Sequence, residues 1–483
     1  MSVRSAVAAA ALCSLALAAT AAAAGPAPTA TTTYPLRSPA SLLPNSPIIE
    51  GGFSGLTPAA PGGRLFWTVT DRGPNGQPTL PAPIGQVRTF PVPSFTPAIR
   101  LLGTSARGGL VPLATIPLRL RAGAADPARA AMNLGGDPRA ITGFPNLPAA
   151  GGTITDELAA LADGSPFDAA GKPAGLLDPY GLDTEGIAVA RDGFWISDEY
   201  RPSLVHVSFS GVILERLVPQ GTPTLGDESV VPGRRTLPAI YSKRRANRGM
   251  EGVAISDDGR YLYALLQNAL DTKATTTSGG VAIPDGTTPK LHRSLRLVED
   301  NLRAKGGPAV SREFLYQIDE NTNPRPAGVS RADWQDLYRT SDIAWIGPGR
   351  IAVDDRDDSP AGGGTDHKVV YSVDLSKGTD LTTLPAGSVA AVDRDSGALD
   401  AYTPELLAAA GIAPAPKTAI LDVGATYPHD KLEGVALVGR DKVAVVNDND
   451  FGLGAQLNLL PPAYQAKDPS GTDLTLYTVP RFR

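Results

Sequence analysis

The 483-residue chain carries 44 Lys and Arg residues against 49 Asp and Glu residues, and its single cysteine is Cys13. This near balance of charge, with no long basic run, excludes the composition typical of nucleic-acid-binding proteins. One cysteine excludes a disulfide framework and a thiolate metal site. The 52 Gly and 45 Pro residues are what many short strands joined by turns require.

The N-terminus has the pattern of a secretory signal peptide. Arg4 is the positive residue, residues 6–19 form an apolar stretch, and the alanines at 22–24 form a cleavage site. The apolar stretch is too short for a membrane anchor. We expect residues 1–24 to be removed and the mature chain, with no transmembrane segment, to be periplasmic or secreted. Residues 25–44 are rich in Pro, Ala and Thr and are predicted to be a spacer.

A tetrapeptide, Glu-Gly-Ile/Val-Ala, occurs three times in the rest of the chain, at Glu185, Glu251 and Glu433. Each copy begins a short apolar strand, which is followed by a turn, a second apolar strand, and then acids or amides. Weaker copies begin at Ser54 and Ser341, where serine replaces the glutamate. A third strand with period-two alternation follows each copy. Such units are typical of the blades of a β-propeller.

The repeats predict one all-β domain, a β-propeller, over residues 45–483. Five blades are evident, and the interval between Asp71 and Glu185 has room for another. Six blades are therefore favoured, and five or seven are the alternatives. A few short helices are expected in loop insertions. Capping residues mark one at residues 330–338 and another at residues 403–411, which also has a stop signal, and a third is expected at residues 294–304.

The repeated acids carry the main indication of chemistry. The innermost strands of a propeller line its channel, so the repeated glutamates should converge on one axis. Their like charges would repel one another unless a hard divalent cation such as Ca²⁺ lay between them. The predicted metal ligands are Asp71, Glu185, Asp198, Glu251, Asp355, Glu433 and Asn447. Alternatively, the Glu-Gly pair marks only the start of each blade, and backbone donors satisfy its carboxylate.

Arginines flank the same repeat ends, at Arg72, Arg248 and Arg356. Guanidinium groups in these positions would bind a small anionic or phosphorylated substrate. The alternative is that they form ordinary ion pairs with neighbouring acids. Two further carboxylates, Glu199 and Asp357, are candidates for a general base. With no Gly-x-Ser-x-Gly or His-Glu-x-x-His motif, the sequence gives little support to a serine hydrolase or a zincin.

Several segments together carry a resemblance to a known family. They are Thr70-Asp71-Arg72-Gly73-Pro74-Asn75, Asp183-Thr184-Glu185-Gly186-Ile187-Ala188, Ile196-Ser197-Asp198-Glu199-Tyr200, Asn247-Arg248-Gly249-Met250-Glu251-Gly252, Asp355-Arg356-Asp357, Lys431-Leu432-Glu433-Gly434 and Asn447-Asp448-Asn449-Asp450-Phe451-Gly452. With these segments the chain resembles the phytase-like family of mostly bacterial secreted propellers, also described as "esterase-like activity of phytase". The resemblance extends over about residues 54–479 and implies phosphoester hydrolysis by the repeated Glu and Asp residues.

We therefore expect an exported, monomeric hydrolase of phosphate esters that uses a Ca²⁺-bound acidic centre in its channel. Two alternatives stay open. One is a metal-dependent lactonase or carboxylester hydrolase, which would also use channel acids. The other is a non-catalytic propeller that binds a ligand or a protein.

Overall fold

The computed structural model describes residues 25–76, 79–80, 85–86, 89–146, 177–224, 226–453 and 471–482. The predicted signal peptide, residues 1–24, lies outside these ranges. The strands in chain order are β1 (Ala30–Pro35), β2 (Phe53–Pro58), β3 (Leu65–Thr70), β4 (Thr79–Leu80), β5 (Gly85–Gln86), β6 (Ala98–Ser105), β7 (Gly109–Pro117), β8 (Thr184–Val189), β9 (Gly193–Asp198), β10 (Ser203–Ser208), β11 (Ile213–Pro219), β12 (Gly233–Leu237), β13 (Met250–Ile255), β14 (Tyr261–Leu266), β15 (Ser294–Asn301), β16 (Ala309–Gln317), β17 (Arg339–Gly347), β18 (Arg350–Arg356), β19 (Lys368–Asp374), β20 (Lys417–Asp422), β21 (Gly434–Val438), β22 (Lys442–Val446) and β23 (Asp473–Thr478).

Helices in the described ranges are few and short. The α-helices are α1 (Pro127–Ala131), α2 (Arg331–Gln335), α3 (Val389–Ser396) and α4 (Pro404–Ala409). Single 3₁₀ turns occur at Ala239–Lys243, Pro289–Leu291, Leu375–Lys377, Leu381–Thr383, Ala398–Ala401 and Asp450–Gly452.

The strands form five blades, except for β4 and β5, which pair as a separate two-stranded sheet. Blade 1 is β2-β3-β6-β7, blade 2 runs from β8 to β12, blade 3 from β13 to β16, and blade 4 from β17 to β20. Blade 5 is β21-β22-β23-β1, in which β1 pairs antiparallel with β23 from Ala30↔Thr478 to Pro35↔Asp473. The predicted spacer over residues 25–44 thus contributes the outermost strand of blade 5, so strands from both ends of the chain close the ring.

The innermost strands β2, β8, β13, β17 and β21 pack side by side, and β21 packs back against β2. The protein is therefore a five-bladed β-propeller, within the predicted range but with one blade fewer than favoured. Because β2 contacts β8 directly, the interval between Asp71 and Glu185 inserts no blade between them. Apolar side chains of neighbouring blades fill each of the five blade interfaces, and this burial is the main stabilising contribution.

The glycine of the Glu-Gly motif has a steric role at the axis. A Cβ atom on Gly186 would lie 2.6 Å from the backbone nitrogen of Val253, and one on Gly252 would lie 2.6 Å from that of Ile343. Only glycine permits this approach of neighbouring inner strands, and β-bulges accompany it in blades 2 and 3. The motif glycine is replaced in blade 4 by Asp342.

Two of the three predicted helices are confirmed by their caps. The Thr403 side chain accepts the backbone N–H of Leu406 at the start of α4, and Ser330 accepts that of Asp333 at the start of α2. The helix predicted over residues 294–304 is wrong, because β15 occupies this segment and pairs with β14 and β16. Leu295 and Leu297 alternate into the interface with blade 4, so tertiary burial determines its conformation.

Candidate functional site

The repeated glutamates meet at the end of the channel where the inner strands begin. Glu185 and Glu251 lie on β8 and β13, and Glu433 directly precedes β21. Burial and the negative charge of Glu251 raise the pKa of Glu185 well above its ordinary value. Burial, with the charges of Glu199 and Glu433, does the same to the pKa of Glu251. The three acids thus lie close enough to influence one another's ionisation, and we name this end of the channel the charged mouth.

The tightest acidic group at the charged mouth consists of Asp71, Asp183 and Glu185, which we name the acid triad. One carboxylate oxygen of each lies within 4.8 Å of the others, a spacing that can hold a metal ion. Burial raises the pKa of Asp183 well above its ordinary value. Burial also favours a raised pKa for Asp71. The positive charge of Arg72 and a hydrogen bond with Asp183 outweigh burial, so the pKa of Asp71 is lowered. The acid triad therefore retains protons or binds a cation.

Several buried oxygens around the acid triad accept no hydrogen bond within the described part of the chain. They are Oδ1 of Asp183, Oε1 of Glu199, Oε2 of Glu251 and Oε1 of Gln267. Glu199 is 1% and Glu251 2% exposed, and Gln267 Nε2 donates to the other oxygen of Glu251 at 2.6 Å. Buried oxygens without a donor are unfavourable, and oxygen is the ligand atom that hard cations prefer. This donor set fits a cation such as Ca²⁺.

Serines from the weaker repeats hydrogen-bond the glutamates of the following blade. Ser54 Oγ donates to Glu185 Oε2 at 2.7 Å, and Ser341 Oγ donates to Glu433 Oε2 at 2.5 Å. Arg356 Nη2 lies 2.5 Å from the other oxygen of Glu433. Both oxygens of Glu433 are therefore bound by the protein, whereas Glu185 keeps an oxygen for the acid triad. The serines that interrupt the repeat act as donors to its acids.

Two of the three predicted arginines are bound to carboxylates. Arg72 pairs with Asp183 and lies 3.1 Å from Glu199 Oε2. Arg356 pairs with Glu433 and with Asp358. Their guanidinium groups hold the acids of the charged mouth in position.

Arg248 is different from these two arginines. Among the residues with described positions, no carboxylate lies within ion-pair distance of it, and Nη1 donates to the backbone carbonyl of Asn247. Its Nε has no hydrogen-bond acceptor in the described part of the chain. Burial, followed by the positive charge of Arg339, lowers its pKa to about 10. Arg248 therefore stays positively charged at neutral pH and has capacity for an anion.

Asp198 and Asn447, both predicted metal ligands, lie in structural hydrogen-bond networks. Asp198 accepts from Ser203 Oγ at 2.9 Å and from Asn146 Nδ2 at 3.1 Å. Asn447 Oδ1 accepts the backbone N–H of Asp473 at 2.7 Å. Asp198 is not grouped with the acid triad, and the oxygens of both residues accept hydrogen bonds from neighbouring donors.

Asp355 and Asp357 also lie outside the acid triad. Asp355 Oδ2 lies 2.7 Å from Lys417 Nζ, and Asp355 forms a separate group with Asp319 and His367. Asp357, a predicted general base, pairs with the buried Lys368 and accepts further hydrogen bonds from its own loop. The carboxylate of Asp357 is therefore fully engaged. Of the two predicted general bases, Glu199 is the one with an unpartnered oxygen among the described residues.

Sequence reasoning missed Asp183 and Gln267 as members of the charged mouth. Asp183 precedes Glu185 by two residues, the period that places side chains on one face of a strand, so this spacing was an available signal. Gln267 directly follows β14. Its role depends on Glu251 lying opposite, which no local pattern indicates.

The opposite end of the channel has a different character. A cavity of about 330 Å³ there is lined mainly by apolar residues of the later parts of the inner strands. Its lining includes Leu56, Ile187, Val253, Ile343 and Leu437. Among the described residues, the cavity lining has one acid, Asp257, and contains no member of the acid triad and no arginine. The chemistry that the acid triad and the arginines could perform therefore belongs to the charged mouth.

Comparison with known proteins identifies a family and more remote similarities. The family model described as "Phytase-like: Esterase-like activity of phytase" matches residues 48–451. An "uncharacterized secreted protein" of Arthroderma benhamiae is 27% identical over 223 residues, which are 43% of this chain and 41% of that protein. The chain therefore spans less than half the length of this curated relative.

Similar solved structures have low sequence identity. A luciferin-regenerating enzyme is 8% identical with a TM-score of 0.32, covering 94% of this chain and 98% of that chain. A periplasmic gluconolactonase of Pseudomonas aeruginosa is 10% identical with a TM-score of 0.28, covering 88% of each chain. Within the described ranges, no helix has the length and apolar character needed to cross a membrane.

Proposed function

Because the chain belongs to the phytase-like family, we propose that it is an exported hydrolase of phosphate esters with a Ca²⁺ site at the charged mouth. The observation that supports this proposal best is the combination of the acid triad with the unpaired Arg248. The negative charge of Glu199 affects the pKa of both Glu185 and Arg248. A cation site beside a free guanidinium is what a phosphate ester needs.

The acid triad would hold the cation, and the unpartnered oxygens of Glu251 and Gln267 would be available as further ligands. When bound, a divalent cation polarises a phosphoryl oxygen and increases the acidity of a nearby water. Ser54 orients Glu185 and Arg72 orients Asp183 for this purpose, through the contacts described above. Asp183 thereby joins the predicted ligands Asp71 and Glu185.

Arg248 would bind the phosphoryl oxygens of the substrate. Guanidinium groups match phosphate geometry and hold it by charge-assisted hydrogen bonds. Arg72 and Arg356, predicted for the same task, are positioning residues in this proposal, because each already forms ion pairs with carboxylates. Arg248 forms no such ion pair among the described residues, and we assign the recognition of the anion to it.

Glu199 would act as general base. Its Oε2 is held by Arg72 at 3.1 Å, and its Oε1 has no hydrogen-bond partner in the described residues. Oε1 would accept a proton from the water whose oxygen attacks phosphorus. The bond from phosphorus to the ester oxygen then breaks, and the alcohol leaves with a proton from the solvent.

A substrate panel tests the proposal. The purified mature protein is assayed on an activated phosphomonoester, a phosphodiester, a lactone and a carboxylester, with EDTA and after Ca²⁺ is restored. We expect phosphate ester hydrolysis that EDTA removes and Ca²⁺ restores. Lactone or carboxylester turnover without phosphate ester turnover would contradict the proposal in favour of the second enzyme class. A folded, Ca²⁺-loaded protein that is inactive on every substrate would favour a binding propeller.

A further inference from the structure

Gly25, the first residue after the predicted cleavage site, lies against the outer edge of blade 4. Its backbone nitrogen donates a hydrogen bond to Asp422 Oδ2 at 3.1 Å. Asp422, the last residue of β20, donates its own backbone N–H to the carbonyl of Pro26 at 3.1 Å. Thr29 then donates to the carbonyl of Thr478 on blade 5 at 2.8 Å. Residues 25–29 therefore connect the outer edges of blades 4 and 5.

Neighbouring side chains leave no space for a side chain at residue 25. A Cβ atom there would lie 2.9 Å from the Cβ atoms of both Ala419 and Asp422, which is closer than real Cβ atoms approach one another. The glycine thus brings the backbone nitrogen close to the Asp422 carboxylate. In the described structure this carboxylate accepts only backbone N–H groups, the second being that of Gly424 at 3.2 Å, and it forms no ion pair.

We propose that removal of residues 1–24 converts this contact into an ion pair that fastens β1 to the propeller. A leader peptidase would add water across the Ala24–Gly25 peptide bond, leaving a carboxylate on Ala24 and an ammonium group on Gly25. The ammonium nitrogen is the atom that lies 3.1 Å from Asp422 Oδ2. Processing therefore adds a positive charge and further donors beside an unpaired carboxylate, and charge-assisted hydrogen bonds are stronger than neutral ones.

The ion pair would act on the closure of the ring. β1 is the outermost strand of blade 5. All of its residues are exposed except Tyr34, which is partly buried. An outer strand of this kind opens locally with a low free energy. Fixing residue 25 to blade 4 shortens the free segment before β1 and lowers the population of the open form. This inference depends on the predicted cleavage site and is independent of the proposed activity.

The first measurement is the intact mass of the exported full-length product. We expect a chain that begins at Gly25. A mature N-terminus at any other residue overturns the proposal, because the ammonium group would not lie beside Asp422.

The second measurement is hydrogen exchange of the β1 amides in four proteins. They are the mature chain, the same chain extended by Ala24, and the Asp422→Asn variant of each. The extension keeps an N–H at residue 25 but moves the charge away, so β1 should exchange about threefold faster, as expected for a partly exposed ion pair. In the Asp422→Asn background the extension should change exchange by less than about 1.5-fold.

Asp422→Asn retains an acceptor oxygen and should fold. Asp441→Asn, a change in the β21–β22 turn at the same face of blade 5, is the matched control and should leave the response to the extension unchanged. The proposal is overturned if the Ala24 extension changes β1 exchange equally in the parent and Asp422→Asn backgrounds. It is also overturned if the extension changes exchange in neither background.

Discussion

The carboxylate of Asp342 accepts the backbone N–H of Leu56 at 2.8 Å and so joins blade 4 to blade 1 at the centre of the ring. The same carboxylate accepts the N–H groups of Val435 at 3.0 Å, on blade 5, and of Ile343 at 2.8 Å. The other four blades have glycine at the equivalent position, which lets their backbones approach directly. Asp342 instead provides acceptors for three inner-strand amides between the charged mouth and the apolar cavity.

Replacing this carboxylate should destabilise the ring. Asp342→Ala leaves three buried N–H groups without acceptors, and each such group costs about 1–3 kcal/mol. We expect the free energy of unfolding to fall by at least about 3 kcal/mol in urea titrations. Asp342→Asn keeps one acceptor oxygen and should lose less than half as much. Equal stability of the Ala and Asn variants would contradict the role given to these hydrogen bonds.

Chelation of the cation should lower thermal stability. The proposed cation site is assembled only in the folded state, so Ca²⁺ at a hundredfold excess over its Kd should add about 2.7 kcal/mol to the free energy of unfolding. The change is measured as the Tm with EDTA and with Ca²⁺. Asp183→Asn should remain folded and lose most of the response. An unchanged Tm, together with no bound metal by elemental analysis, would count against the site.

Binding of Ca²⁺ should release protons. Burial raises the pKa of Asp183, Glu185 and Glu251, so without a cation these groups keep protons above the ordinary carboxyl range, whereas the unfolded chain has lost them. The apo protein therefore loses stability as pH rises towards the raised pKa values. Ca²⁺ requires the ionised forms and should bind more tightly at higher pH. Calorimetry in two buffers of different ionisation enthalpy near neutral pH should show at least about one proton released per ion.

Glu251→Gln tests whether the acid acts in chemistry or only in structure. The substitution retains size and hydrogen-bonding capacity but removes the charge that interacts with those of Glu185 and Glu199. Hydrolysis of an activated phosphate ester should fall at least tenfold, or about 1.4 kcal/mol of transition-state stabilisation. Glu215→Gln is the control. Glu215 lies on β11, three strands outward from the inner strand β8 of blade 2, so this variant should keep the parent rate. A folded, Ca²⁺-loaded Glu251→Gln protein with parent activity would refute a catalytic contribution.

Arg248→Ala should weaken the recognition of phosphate. The variant removes the cation that has no carboxylate partner in the described structure, so KM for phosphate esters should rise about tenfold, equivalent to about 1.4 kcal/mol. Turnover of any lactone or carboxylester should change little. Arg245→Ala is the matched control, because Asp336 binds both ends of the Arg245 guanidinium at 2.5 and 2.6 Å. If the two variants raise KM equally, Arg248 has no special role in binding phosphate.

The local sequence pattern determined the strands and the convergence of the repeated acids. Apolar alternation specifies strands because side chains follow a period of two, and Glu185, Glu251 and Glu433 meet because equivalent positions of blades share one axis. The same reasoning wrongly predicted a helix where β15 lies. Burial of Leu295 and Leu297 against blade 4 selected the strand.

Tertiary structure alone decided which charges remain free and how the ring closes. Arg72, Arg248 and Arg356 have similar sequence surroundings, yet acids from other strands neutralise the first and third and leave the second unpaired. Ser341 hydrogen-bonds Glu433 although 92 residues separate them. The number of blades depends on lateral contact between β2 and β8, and the outer strand of blade 5 comes from β1. These are non-local contacts, and a sequence pattern specifies the conformation of each strand but not the identity of its neighbours.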